Sequence, residues 1–507
     1  MDKRQILSDI TFGESIAELE SKKLQDYFIE TDYWRNVRKG KVDVIYGAKG
    51  SGKSAIYTTI TNDAEAMFFD QAVLLAAAEN PSGNTAFSSL TTDPPTSFNE
   101  FVALWKLYFL VITAQVLKEY NIKTGKAAKF FKILEDCNLI PPHNRLAQFL
   151  KLCLDFIRRK KEVSTTAEID PTTGMYSGQK FSITFSEPSL QEVSLGHLPV
   201  EEVYDLLSEV LAENEFTLWI IIDRLDVAFA EHEELESNAL KALFKAYLDL
   251  KKHPEVQLKI FLRDDIWRNL VDGGFREASH ITKYQDLQWN RDALLNLIIK
   301  RLLDNPVLIE VFKLDKVEIL KKIQDQEKTF YKFFPTQVDS GQNKPKTLDW
   351  VLGRTRDGKG QNTPREIIQL LNYAKEIQIK RLENGNDDLS DDVLISRTSL
   401  KEAVGRVSKQ RIEQTIYAEY SSLKEYIELL RNGKAEQTMQ TLAIKWSCND
   451  SDASKIVKQL CDIGFFEQKG QSPDIKYKIP FLYRPYLGIT QGSANIADGD
   501  LEYQDEE

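Results

Sequence analysis

Cysteine is scarce in this chain: four residues, Cys137, Cys153, Cys448 and Cys461, none of them in a C-x-x-C pair. That usage excludes a C-x-x-C redox or zinc motif and suits a reduced protein, so a cytoplasmic location is expected. The five histidines are scattered and make no zinc-ligand set. Long hydrophobic runs are missing as well. The nearest, Leu104 to Leu117, is broken by Lys106 and reads as a buried helix, so no membrane partner is expected. Met1-Asp2-Lys3-Arg4-Gln5 leads into no apolar signal core. Excess positive charge is also absent. A net charge of −11 excludes a generally nucleic-acid-coating protein, although a local basic face remains compatible with it. What the chain does have is 507 residues and 42% hydrophobic content, ample for packed cores in two to four domains.

It also has Gly47-Ala48-Lys49-Gly50-Ser51-Gly52-Lys53-Ser54, which fits G-x-x-x-x-G-K-[ST] at every fixed position. The apolar run Val42 to Tyr46 reads as a strand before it, and Ala55 to Ile60 continues as a helix after it. Glycines let such a loop curl around a triphosphate, with the N–H groups of Gly50, Ser51, Gly52, Lys53 and Ser54 turned inward. The dipole of the helix that starts there adds positive potential. Lys53 would reach the β- and γ-phosphates and the Ser54 hydroxyl would ligate Mg²⁺, so ATP and Mg²⁺ are the expected cofactors.

A second signal stands 170 residues beyond Lys53 (223 − 53). Phe216 to Ile222 is nearly continuous apolar sequence, the pattern of a parallel strand buried on both faces, and it ends in Asp223. An acid at such a tip is the Walker-B position, so Asp223 is the candidate metal carboxylate. Asp226 is the candidate for orienting or deprotonating the attacking water, with a helix N-cap as the alternative. Arg224 occupies the place directly after Asp223 where many relatives carry that second acid.

The wide spacing implies an insertion. Residues 1–40 read as a helical preamble and 41–285 as a nucleotide-binding core with a helical insertion over about 84–200. A second core strand is expected at Ala72 to Ala78. Phe98 to Tyr120 and Asn144 to Lys161 are its apolar helices, and a hairpin is expected around Asp170 to Gly174 with Phe181, Ile183 and Phe185 alternating. Ser237 to Lys251 reads as an amphipathic helix capped by Ser237, and Val256 to Leu262 as a strand tipped by Arg263. A helical lid spans 286–410. It includes a polar loop from Pro335 to Gln361 around one short helix, and a further helix opened by Thr363-Pro364-Arg365.

Residues 411–490 read as a winged helix-turn-helix. Its helices are Leu423 to Leu430, Thr438 to Trp446, and a third capped by Ser451 to Ser454 and ended by Gly464. Phe465 to Glu467 and Ile475 to Ile479 would form a two-stranded wing, and 491–507 an acidic disordered tail. From Arg411 to Thr490 there are eleven Lys plus Arg and ten Asp plus Glu, a net of +1. Duplex-binding modules carry a clear basic face, so a partner protein competes with DNA as the ligand of this module.

Two arginines complete the candidate set. Arg263, at a core strand tip, could sense the γ-phosphate, with a salt bridge to Asp264 or Asp265 as the alternative. Arg365, opening a lid helix, could neutralise charge on the transferring phosphoryl group, with surface solvation as the alternative.

The order of Walker A, Asp223-Arg224-Leu225-Asp226, Arg263, Pro364-Arg365 and a terminal winged helix resembles the AAA+/STAND group of P-loop ATPases. More narrowly, Phe12-Gly13 with Ala17-Glu18, and Leu482-Tyr483-Arg484 with Leu487-Gly488-Ile489, resemble a poorly characterised set of bacterial P-loop ATPases. The resemblance implies an α/β fold with a P-loop parallel-sheet core, and ATP-driven, oligomerising switches in signalling, DNA transactions or phage defence. The expected activity is Mg²⁺-dependent ATP hydrolysis, with Asp226, Arg263 and Arg365 as catalytic candidates. The alternative is a nucleotide-gated DNA- or protein-binding regulator with negligible turnover. A small-molecule kinase fits the length and the C-terminal module least well.

Overall fold

The computed structural model describes residues 2–20, 24–62, 72–79, 85–87, 90, 94–140, 145–162, 182–194, 196–225, 233–272, 274–386, 393–471 and 474–494. The fold is mixed α/β around a parallel sheet. Its residues cluster into two compact units, one of Met1–Thr31, Ala48–Gly52 and Leu287–Glu507, the other of Asp32–Gly47 and Lys53–Asp286.

The second unit is built on the five strands β1 (Val44–Gly47), β2 (Val73–Ala77), β3 (Thr217–Ile222), β4 (Val256–Arg263) and β5 (Tyr284–Asp286). They lie in the order β2-β3-β4-β1-β5, all pairs parallel. Parallel strands need crossovers that cover both sheet faces, which is why β3 reads Thr-Leu-Trp-Ile-Ile-Ile with its last five residues buried. Each of those isoleucines contributes about 1.5–3 kcal/mol on burial. One strand, β4, separates β1 from β3. Helix α1 (Lys53–Asn62) follows β1 after the glycine loop.

Helix α2 (Phe98–Glu119) has a mean hydropathy of 1.5 over its most apolar eighteen residues and is long enough to cross a membrane, but 83% of that window is buried within the protein. It packs on α3 (Glu233–Leu250), and Trp105 Nε1 donates to Ala239 O at 2.9 Å. Because α3 starts at Glu233, Ser237 lies inside it and does not cap it. The hairpin turn expected at Asp170 to Gly174, and Phe181, lie outside the described residues. The strand Ser182–Thr184 pairs in parallel with His197–Pro199, by way of a short intervening helix, Leu190–Ser194.

A buried polar pair ties β1 to β4. Lys259 Nζ donates to Asp43 Oδ1 and to Val42 O, both at 2.8 Å, and Tyr247 donates to Asp43 Oδ2 at 3.0 Å. Burial lowers the Lys259 amine below its ordinary value, and the neighbouring Asp43 carboxylate acts against that shift.

The first unit combines helices with a small sheet. Helices α4 (Arg291–Leu302), α5 (Thr347–Thr355), α6 (Pro364–Glu383) and α7 (Arg397–Arg411) share one core with the N-terminal residues Ile6, Leu7, Ile10 and Phe12. Arg301 and Glu20, both buried, form a bidentate pair at 2.8 and 2.9 Å, and Arg301 also donates to Phe12 O at 2.6 Å. A side chain on Gly13 would meet both Arg301 and Glu20. The Phe12-Gly13 pair is therefore an anchor for α4, and the first thirty-one residues pack with the C-terminal half of the chain.

Further on, α8 (Met439–Lys445) is capped by Thr438 in a capping box, and α9 (Asp450–Asp462) by Asn449, whose side chain accepts from Asp452 N. Asn449 takes the capping place expected of Ser451. Strands β6 (Lys434–Gln437), β7 (Glu467–Lys469), β8 (Lys476–Lys478) and β9 (Thr490–Ser493) form one sheet in the order β9-β6-β8-β7. The expected two-stranded wing, β7 with β8, is thus half of a four-stranded sheet. Gln491 to Ser493 belong to a strand, and residues 495–507 lie outside the described residues.

Candidate nucleotide site

The strand-to-helix turn between β1 and α1 carries the loop Gly47 to Ser54. Gly50 and Gly52 stand at φ of 86° and 98°, in the region that favours glycine, and these two inversions curl the backbone. Lys53 Nζ reaches back to Gly47 O at 2.7 Å, which lays the lysine along the loop.

At the tips of the strands, two expected residues meet in the second unit. Ser54 Oγ donates to Asp223 Oδ2 at 3.0 Å. Asp223, at the end of β3, is 5% exposed. Burial, and then the charges of Asp223 and Glu79, push the phenol of Tyr57 well above its ordinary range. Arg263 ends β4 directly opposite Gly47 of β1 in the parallel register. Its guanidinium is engaged by Asp265, Nε to Oδ1 at 3.0 Å and Nη2 to Oδ2 at 2.6 Å. The alternative role of Arg263, as an ion-pair partner, is thus the geometry observed. Arg224 adopts φ of 61°, an uncommon conformation for arginine, immediately after Asp223. Asp226 lies outside the described residues.

Within the first unit, the loop residues Ala48–Gly52 have their own neighbours. A Cβ placed on Gly50 would stand 2.8 Å from Arg365 Cβ and 3.0 Å from Thr363 Oγ1. Arg365, half-buried, therefore lies against the glycine loop. Its position is set by the start of α6, where Thr363 donates to Glu366 and Glu366 accepts from Arg411 Nη1 at 2.8 Å. Pro364 at the first helical position fixes the boundary. Trp289 Nε1 donates to Ser51 O at 2.7 Å, and Lys49 pairs with Glu419. Sequence reasoning missed Trp289, Thr363 and Glu419. A lone Trp between polar residues gives no pattern, and the other two gain meaning only from their neighbours in space.

The donor set fits a nucleotide with Mg²⁺. Ser54 Oγ and Asp223 Oδ2 meet and would offer hard oxygen ligands, and Lys53 would supply a cation for phosphate. Among the described residues there is no cluster of three or more His, Cys, Asp or Glu that could hold a metal ion.

No protein-family model matches the chain, and no curated protein matches it. Among solved structures, the Aeropyrum pernix ORC2 protein in its ADPNP-ADP complexes aligns at 11% identity over 93% of this chain and 93% of that one, with a TM-score of 0.28. The ADP form of the same protein aligns at 12% identity over 91% of this chain and 88% of that one, with a TM-score of 0.31.

Proposed function

We propose that this chain is a Mg²⁺-dependent, ATP-binding and ATP-hydrolysing switch of the AAA+ type. The observation that carries the reading is the convergence of Ser54 and Asp223 at the tips of β1 and β3, with β4 between them. Gly47, Gly50, Ser51, Gly52 and Lys53 bind the phosphates through backbone N–H groups and the lysine amine. Ser54 and Asp223 would hold Mg²⁺, which would supply charge neutralisation to the bound phosphates. Asp226 orients the water in this reading. Arg263 or Arg365 completes the charge balance, Arg263 by exchanging Asp265 for phosphate.

The C-terminal module supports the switch part of the proposal. In this reading helices α8 and α9 followed by the β7–β8 pair act as a winged helix, and its partner would be DNA or another protein. Lys469, Lys476 and Lys478 sit on the wing strands, where Lys469 pairs with Glu467 at 3.4 Å and Lys476 with Glu436 at 3.8 Å, and Lys455 on α9 pairs with Asp452 at 2.9 Å. Homo-oligomerisation, a role in DNA-related signalling or phage defence, and a cytoplasmic location belong to this proposal.

A second reading, nucleotide-gated binding with negligible turnover, is favoured by two particular observations: Arg224 follows Asp223, and the guanidinium of Arg263 is held by Asp265. Phosphate release from ATP by wild type and Asp226→Asn, with and without double-stranded DNA, separates the two. Turnover abolished by the substitution supports the ATPase. ATP binding without turnover under any condition supports the gated module.

A further inference from the structure

A groove in the first unit lies between α5, α7 and the segment Phe481 to Gln491, with a cavity of about 460 Å³. That is the size of small-molecule sites. Three cations line it, Arg354, Lys401 and Arg484, against one carboxylate, Asp339. Asp339 is already engaged: Lys401 Nζ stands at 2.8 Å, Arg354 Nη2 at 3.6 Å, and Trp350 Nε1 donates to it at 2.8 Å.

The two guanidinium groups are held by aromatic rings. Arg354 lies 5.1 Å from the Trp350 ring centre and 3.8 Å from that of Phe481, and Arg484 lies 4.1 Å from Phe481. Stacking occupies the faces of a guanidinium and leaves its N–H edges for oxygen ligands. Arg484 is 5% exposed. Its Nε donates to Ile479 O at 2.8 Å and Nη1 to Gln491 Oε1 at 2.6 Å, but Nη2 is buried without a hydrogen-bond partner among the described residues. Burial, and then the charge of Arg354, hold the Arg484 guanidinium below its ordinary range, and burial does the same to Arg354. Two like charges on one exposed ring, with one donor unsatisfied, are costly as packing. They are favourable as a receptor for a ligand with several anionic oxygens, which would pair Arg354 and the remaining Nη2 of Arg484 and offset the repulsion.

We propose that this groove binds a small phosphorylated ligand, held by Arg354, Arg484 and Lys401 and distinct from the nucleotide at the P-loop. Phosphate is favoured over a monocarboxylate because three cations surround one cavity with a single acid among them.

The test is calorimetric titration of pyrophosphate into full-length Lys53→Ala protein, which weakens the P-loop as a competing site. Saturable binding is expected, weakened about 10–100-fold by Arg354→Gln and by Lys401→Gln. Thermal melts of both variants within a few degrees of the parent show that the fold persists. Neither residue supplies a backbone-binding contact of the kind Arg484 makes to Ile479, so these variants are preferred to one at Arg484. Absence of saturable binding into the millimolar range overturns the proposal, as does binding indifferent to both substitutions. Citrate binding tighter than pyrophosphate, with the same sensitivity, overturns the phosphate assignment.

Discussion

The hydroxyl of Ser54 and the carboxylate of Asp223 are joined by a 3.0 Å hydrogen bond although 169 positions separate them in the chain. One lies just past the glycine loop and the other at the end of a strand two places away in the sheet, so each needs the sheet order to reach the other. Substitutions at this site are expected to separate binding from chemistry. Lys53→Ala is expected to lower ATP affinity about 10–100-fold, the worth of a charge-assisted contact. Asp223→Ala is expected to retain some binding and to lose turnover about 100-fold or more. A fluorescent ATP analogue and phosphate release measure the two effects. Wild-type turnover in Lys53→Ala would sink the site assignment.

Gly50→Ala tests the loop conformation. The residue stands at φ of 86° with Arg365 Cβ 2.8 Å from the position of a new methyl group. Strain of about 1–2 kcal/mol is expected, together with displacement of Arg365 and a several-fold loss of nucleotide affinity. Gly125→Ala is the control, since nothing lies within 4 Å of its Cβ position. Equal affinities for the two variants would contradict the close approach of α6 to the loop.

Lys259→Met leaves Asp43 buried with only Tyr247 as a side-chain partner. Breaking a buried pair on one side costs about 3–5 kcal/mol. The double variant Lys259→Met, Asp43→Asn is expected to recover part of that loss, because no charge is then stranded. Urea unfolding of the three proteins reads the coupling, and strict additivity would show that the pair does not act as a unit.

His253 sets a pH dependence. It is buried, stacks on Tyr204 and has Asp205 at 3.6 Å. Burial lowers its folded-state pKa below the ordinary value; Lys252 adds to the shift, and Asp205, Glu255 and Glu201 oppose it. As pH falls the unfolded chain therefore takes up the proton first. The contribution of His253 to stability is full above pH about 6.5 and is lost as pH drops through that value toward the folded-state pKa. Melting temperatures of wild type and His253→Gln, measured from neutral to mildly acidic pH, should converge on acidification. A constant difference would show that the imidazole does not titrate in this window.

What the sequence disclosed follows from how completely each residue's role is local. Strand β3 is legible because burial on both faces writes continuous apolar sequence, and the glycine loop because its spacing is fixed by backbone geometry. Strand β6 is not legible: Lys-Ala-Glu-Gln carries no strand preference, and it pairs because β8 and β9 flank it. The ion pair between Arg263 and Asp265 could be anticipated as one of two outcomes, since only the fold decides which acid the guanidinium meets. The cation-lined groove draws on residues from Asp339 to Gln491, a span over which no spacing rule operates.

The Glu20–Arg301 clasp bears on the order in which the chain is made. Synthesis releases Glu20 281 residues before its partner, a delay of roughly 15–60 s at ribosomal speed. During that interval a carboxylate destined for burial stays solvated, and Ile6, Leu7, Ile10 and Phe12 have no core to join until α4 emerges. The earliest residues of the nascent protein thus wait for some of its later ones, and the intervening strands and helices fold while the N-terminal segment is still exposed to chaperones and proteases. Maturation of this chain is timed by long-range contacts of its N-terminal segment such as this one, not by its P-loop core.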